Sequence, residues 1–387
     1  MGIVIDYSSG FFEAIPSGET VGSVSGNATL DLTSGNVFNH TPTANTTFVL
    51  SNPPASGTAQ GFTLALTGAN VSIGGDIANA SYDSKSFNVS SQEQYQLGLF
   101  VGKNGTRAYV VGNGSTDVYQ YSLSTAYDIS SASYSNVSFD VSSQASVPVG
   151  LFFKPDGTVF YIGNHSTETI LQYGLTTAWD VSTASYSNKS FSTASQAGDF
   201  QTKPAFSADG SVMIVSKYSN SVVYQYTLST AWDVSTASYA NKSFSFTSQF
   251  TGLNAAVLSA DGSKMWAVST AADAVFEYNL STNNDISTAS YNSVSFSVAS
   301  QDIEPKDMVF ANDEKKLYVL GANNSSIFQY TTSGSPALAT IAYPSSVNFA
   351  GGTAPDAPAN GETDILSFYT TDGGTTYFGF QAGDAMS

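Results

Sequence analysis

The sequence predicts an all-β protein: a five-bladed β-propeller with four-stranded blades, inserted into a discontinuous β-sandwich-like domain. Three observations lead there. A unit of about fifty residues recurs five times. Each unit carries four short strand-like segments punctuated by turn residues. The repeat is also out of phase, starting on the unit's last segment and ending on its third.

The repeat is anchored by the pattern Y-x-x-x-S-F, at Tyr82/Phe87, Tyr134/Phe139, Tyr186/Phe191, Tyr239/Phe244 and Tyr291/Phe296, in steps of 52, 52, 53 and 52 residues. An Asp precedes each Tyr by six positions (Asp76, Asp128, Asp180, Asp233, Asp285), and a Gln follows each Phe by five (Gln92, Gln144, Gln196, Gln249, Gln301). With strands lettered A to D from the axis outward, the second unit runs through A ("GLFF"), B ("TVFYIGN"), C ("TILQYGL") and D ("YSNKSF"). Asn104-Gly105, Asp156-Gly157, Asp209-Gly210 and Asp261-Gly262 mark tight A-to-B hairpins, replaced by Asp313-Glu314 in the last unit. Four strands per unit of this length is the signature of a propeller blade. The first D strand, Tyr82–Val89, precedes every A strand, so it is expected to complete the fifth blade and close the ring. Closure of this kind removes the free edges of the sheet array.

Residues 1–75 and 335–387 lie outside the repeat. Runs such as "ATLDL", "TTFVL" and "FTLALT" read as strands, and "TDILSFYTTDGGTTYFGF" reads as a hairpin turning at Asp372-Gly373-Gly374. Each part is small for an independent core, so the two are expected to form one split domain around the propeller at 76–334. The propeller begins at a D strand and ends at a C strand, which would attach that domain beneath the ring and leave the opposite face free.

Composition narrows function. Only 11% of the 387 residues are charged, and 30 acids against 12 bases give a formal charge of −18. Such a surface repels nucleic acid and anionic membranes, whereas a neutral glycan meets no such penalty. There are no cysteines, hence no disulfide or thiolate metal site. The first residues lack a basic and then apolar leader pattern, and no apolar run of about 18 residues is long enough to span a membrane. With only His40 and His165, a Ser-His-Asp or His-rich metal site has little material, and no Walker-type loop or other cofactor motif is present.

The outer segments, "NATLDLTSGNVFNHTPTANTTFVLSNPPASGTAQGFTLALTG" and "YPSSVNFAGGTAPDAPANGETDILSFYTTDGGTTYFGF", resemble a β domain of phage tail-fibre and related virion appendage proteins. The blades are similar to the YVTN/YncE-type propeller repeat. The resemblance implies a virion location, other virion structural proteins as partners of the split domain, and trimerisation. It transfers no catalytic motif.

Comparison of the five units separates scaffold from candidate site. The A-to-B turns and the segment leading into strand D are nearly constant, "TAWDVSTASY" recurring at Thr177 and Thr230. The D-to-A loops ("QEQYQLG", "QASVPVG", "QAGDFQTKP", "QFTGLN", "QDIEPKD") and the B-to-C loops diverge. A host cell-surface glycan or receptor is therefore expected on the divergent face. The binding candidates are Tyr95, Phe200, Tyr218 and Phe250 for stacking on sugar rings, and Asn113, Asn164, His165 and Asn323 for hydrogen bonds. The main alternative is a structural head fibre or capsid decoration protein, and the third is a glycan-cleaving enzyme using Asp199, Asp302 and Glu304. The repeated Asp128, Asp180, Asp233 and Asp285 invite a calcium reading, with turn formation the simpler one. Tyr127, Trp179 and Trp232 are expected to pack between blades.

Overall fold

A computed structural model describes residues 19–386 except 22, 25–26, 43–45, 69, 72–74, 198–201, 333–336, 339–340 and 350–351. The chain divides into two compact units, 74–334 and the pair of segments 1–73 and 335–387.

The larger unit is the five-bladed ring. Blade 1 is A Gln96–Gly102, B Arg107–Gly112, C Asp117–Leu123 and D Ala132–Asp140, all antiparallel. Blades 2, 3 and 4 repeat that order through 148–192, 203–245 and 253–297. Blade 5 takes A, B and C from Pro305–Ala311, Lys316–Gly321 and Ser326–Thr331. Its D strand is Ser81–Asn88, paired from Ser326↔Asn88 to Thr331↔Ser81. The staggered phase of the repeat thus closes the ring.

The conserved residues of the repeat hold blade to blade. Each D-strand Phe meets the C-strand Tyr of the next blade edge-on: Phe87–Tyr121, Phe139–Tyr173, Phe191–Tyr226, Phe244–Tyr278 and Phe296–Tyr330, with centroids 5.2–5.7 Å apart. Such contacts are worth about 0.5–1.5 kcal/mol each beyond the apolar area they bury. A C-strand Gln also reaches across: Gln120, Gln172, Gln225 and Gln329 accept from the backbone N–H of Val181, Val234, Ile286 and Ile129 at 2.8–3.1 Å. These Gln side chains satisfy backbone donors that would otherwise be buried unpaired.

Where blade 4 meets blade 5, the pattern changes. Glu277 stands in the Gln position and binds Lys264 and Asn292 instead. The Trp266 indole N–H donates to Gly75 O at 3.1 Å, a role that the Tyr hydroxyls of 109, 161 and 318 fill elsewhere, donating to the carbonyls of Trp179, Trp232 and Tyr127.

In the split unit, a six-stranded sheet contains Glu19–Thr20, Val37–His40, Gln60–Thr67, Thr363–Thr370, Tyr377–Met386 and Val347–Phe349 in that spatial order. A four-stranded sheet holds Ser23–Val24, Asn27–Asp31, Thr46–Ser51 and Ile341–Ala342. One apolar cluster joins them, with Ala28, Leu30 and Phe48 from the smaller sheet and Phe38, Phe62, Leu64 and Phe368 from the larger. Thr67 pairs with Thr363, so the two halves of the sequence share a sheet. The turn at Asp372 is built as expected: Thr376 N–H donates to its carboxylate at 3.0 Å, and Gly373 and Gly374 supply φ of 73° and 83°.

Candidate functional site

The two ends of the ring are built on different rules. At the end bearing the A-to-B turns, four blades share one glycine turn, and blade 5 sets Glu314 in the glycine's place. Gly105, Gly157, Gly210 and Gly262 sit at φ of 72–74°, the conformation a tight turn needs. Tyr127, Trp179 and Trp232 lie over the first three turns, donating their backbone N–H groups to Gly105, Gly157 and Gly210. Trp179 also stacks on Phe153 at 5.6 Å and on Phe100 of the preceding blade at 6.4 Å, so its ring is spent on packing.

The calcium candidates are turn formers. Asp128, Asp180, Asp233 and Asp285 each cap a short 3-10 turn by accepting from the N–H and hydroxyl of the Ser two residues on. Three take a Lys from the preceding blade as well: Lys85–Asp128, Lys189–Asp233 and Lys242–Asp285, at 2.6–2.8 Å. The Lys85 ammonium and the Ser130 hydroxyl hold the Asp128 carboxyl below its ordinary pKa. Asp180 lacks such a Lys because Val137 occupies the equivalent strand position. These carboxylates are committed to the scaffold.

At the opposite end, the D-to-A and B-to-C loops are pinned differently from blade to blade. In blade 1, the buried Glu93 carboxylate accepts from Tyr95 N, Gly114 N, Ser115 N and the Ser115 hydroxyl at 2.7–3.2 Å. In blade 5, buried Asp302 accepts from Glu304 N, Asn323 N and Asn324 N at 2.7–3.3 Å. Both carboxylates rest where a Cβ on Gly112 or Gly321 would stand, 2.7 Å from Glu93 Cδ and 2.3 Å from Asp302 Cγ. Blade 2 solves the same problem from the other loop. Asn164 accepts from Val147 N and Ser166 N and donates to Gln144 O and the Thr167 hydroxyl. In blade 4, an aromatic fills the space: Phe250 stacks on Phe246 at 5.2 Å and meets Phe276 at 4.5 Å.

These roles correct the sequence-derived candidates. Asn164 and Phe250 are 1% and 6% exposed and belong to the loop supports, not to a ligand surface. Asp302 has its oxygens occupied by three backbone donors, which removes it as a glycosidic acid or nucleophile. Phe200 and Asp199 lie outside the described residues. His165 is half-buried, and its backbone N–H donates to Val147 O.

Tyr95, Tyr218, Asn113 and Asn323 remain at the surface. Tyr95 is 67% exposed, yet its backbone is clamped on both sides: its N–H donates to Glu93 and its carbonyl accepts from Asn113 N at 3.0 Å. Tyr218 is 37% exposed and leans over the next blade's loop, where a Cβ on Gly252 would come within 3.7 Å of its ring. Ile303, on the loop adjoining that of Tyr95, is 56% exposed and was not singled out from sequence. Nothing in its local pattern distinguishes an outward Ile from a buried one.

A second feature escaped the sequence altogether. Lys203, which opens the A strand of blade 3, and Asp307, the third residue of the A strand of blade 5, are both buried near the axis with Nζ and Oδ2 3.9 Å apart. Burial pulls the Lys203 ammonium down to about 8 against the opposing pull of Asp307, and burial raises the Asp307 carboxyl. Near the A-to-B turns, burial raises Glu314 to about 7.

No protein-family model matches the chain, and no curated protein matches it in sequence. Solved structures do share similarity. One is a protein of Bacteroides uniformis provisionally assigned as a 6-phosphogluconolactonase, at 14% identity and TM-score 0.39, covering 60% of this chain. The chain spans 65% of that protein's length, just under two thirds. Another is a protein of unknown function from Desulfotomaculum acetoxidans, at 15% identity and TM-score 0.39, covering 70% of this chain and 86% of that one. A third is the periplasmic gluconolactonase of Pseudomonas aeruginosa, at 13% identity and TM-score 0.35, covering 63% and 70%. Likenesses this distant carry neither ligand nor activity across.

Proposed function

We propose that this chain is a surface protein of a phage virion, a tail-fibre or receptor-binding component, that attaches to a neutral host glycan through the D-to-A and B-to-C loops. The observation that carries the reading is Tyr95, a largely exposed ring on a backbone held from both sides. A ring so presented loses little freedom on stacking against a sugar, which is what preorganised recognition needs. Tyr218, Asn113 and Asn323 add a second aromatic and amide groups on the same end of the ring. The −18 charge favours a neutral ligand over an anionic one.

The virion assignment rests on the resemblance of the split domain's sequence to virion appendage domains. An exposed aromatic patch in that domain, Tyr369, Phe378 and Phe380 at 43–48% exposure, supports attachment to other virion proteins. We assign no catalytic role, because Asp302 is occupied as a loop support. Retained binding to a host-glycan array after Tyr95→Ala and Tyr218→Ala would remove the loop-face assignment. Labelled-antibody imaging of the virion would test tail against head placement.

A further inference from the structure

The A strands leave a cavity of about 570 Å³ along the ring axis, within the range of small-molecule sites. It lies toward the A-to-B turns, where exposed Asn104, Ala208, Ala260 and Asp313 line its mouth. Phe100, Phe152 and Phe310 on its wall are only half-buried, so apolar surface is left uncovered inside the ring.

At the opposite, inner end the lining carries one facing pair of charges, Lys203 and Asp307. Lys203 leaves blade 3, passes Gly150 of blade 2, where a Cβ would come 2.9 Å from its Cγ, and donates to the carbonyl of Lys306 in blade 5. Asp307 is held by Leu99 N and Met308 N at 2.9 Å each. The two charges face each other across 3.9 Å without a hydrogen bond. On the A strand of blade 4, fully buried Asn254 donates to Pro305 O at 2.9 Å, outside the cavity lining. A buried pair this loose costs more in desolvation than its attraction returns. As a device to hold the ring shut it is poor, whereas as a recognition group it has a donor and an acceptor ready.

We propose that the axial cavity is a second binding site, for a small neutral polyhydroxylated molecule of one or two sugar rings, with adjacent hydroxyls bridging the Lys203 ammonium and the Asp307 carboxylate. One hydroxyl accepts from Nζ while its neighbour donates to Oδ2. The phenylalanine wall covers the apolar face of the ring. The lining sets Asp307, Asp313 and Glu314 against Lys103 and Lys203, an acid excess that disfavours an anion. The facing ammonium and carboxylate offer a neutral polyol a donor and an acceptor together. This site is independent of the loop-face reading, since it lies on the axis and uses none of the exposed loop residues.

The test uses the full chain with glucose, galactose, mannose and glucuronate as probes, followed by ligand-observed NMR and calorimetric titration. At least one neutral sugar is expected to bind at one site with millimolar or tighter affinity, and glucuronate at least about tenfold more weakly. Lys203→Met and Asp307→Asn should each weaken binding about tenfold or more. Ala208→Trp with Ala260→Trp narrows the mouth at two exposed positions, leaving the ion pair and the fold in place, and should abolish binding with an unchanged melting temperature. Tyr95→Ala should leave it unaltered, which separates this site from the loop face. Absence of any neutral-sugar binding to the folded chain, equal binding of glucuronate, or full binding by the folded double Trp variant would each overturn the proposal.

Discussion

The two ends of one ring differ in how they vary. At the A-to-B end, each blade reuses one kit: a tight turn, an Asp-capped 3-10 turn and, in three blades, an aromatic laid over the turn. At the D-to-A end, the loops are supported by Glu93 in blade 1, Asn164 in blade 2, Phe250 in blade 4 and Asp302 in blade 5. The lesson is that irregular sequence here does not mean slack structure. In these four blades the loop is built around its own buried group, so the surface above is free to differ while the backbone is held. That combination suits a recognition face.

Three substitutions and a deletion probe the contrast, from the largest effect down. Deleting residues 80–90 removes the D strand of blade 5 and the Phe87–Tyr121 contact, so the repetitive scaffold itself should fail. Limited proteolysis and thermal melts should show an open, uncooperative ring, and an unchanged melt would contradict ring closure by this strand. Asp302→Ala leaves three backbone donors unpaired and should cost about 3 kcal/mol. Its hydrogen-exchange signature should be confined to residues 302–305 and 322–325, since the supports of other blades are separate.

Phe191→Ala removes a half-buried ring from a blade junction, so about 2 kcal/mol is expected in urea unfolding, less than for a fully buried Phe. The smallest effect is a pH dependence. Glu314 replaces the glycine of the other turns at φ 63°, and burial lifts its carboxyl to about 7 from an ordinary 4.5. The unfolded chain releases this proton first, so stability should fall as pH rises from about 4.5 to about 7. Glu314→Gln should flatten that slope, on the order of 1–2 kcal/mol after allowance for its partial exposure. An identical slope in the variant would assign the effect elsewhere.

The ring was legible because its determinants repeat. Tyr82 to Phe296 mark each blade at steps of 52 or 53 residues, and the leading D strand announces closure. Asp128 and its equivalents were readable as turn formers because an Asp side chain bonds its near neighbours. The loop supports were hidden for the opposite reason. Glu93, Phe250 and Asp302 share one repeat position, directly after the recurrent Gln, but with different chemistries, and in blade 2 that position is Ala145, so Asn164 supports the loop from elsewhere. An aromatic or amide in a divergent loop therefore looked like a ligand contact when it was packing. Lys203 and Asp307 are 104 residues apart and meet only once the ring has closed.

The central claim is that the irregular end of the ring recognises a neutral glycan through its exposed aromatics, Tyr95 on a clamped backbone and Tyr218. It is tested most directly by measuring binding of the full chain and of Tyr95→Ala, Tyr218→Ala and the double variant to an array of host surface glycans. The account predicts selective binding of one neutral glycan class by the parent chain. It also predicts a fall of about tenfold or more for each single variant, and loss in the double variant at unchanged melting temperature. Full retention of that binding by the folded double variant would contradict it.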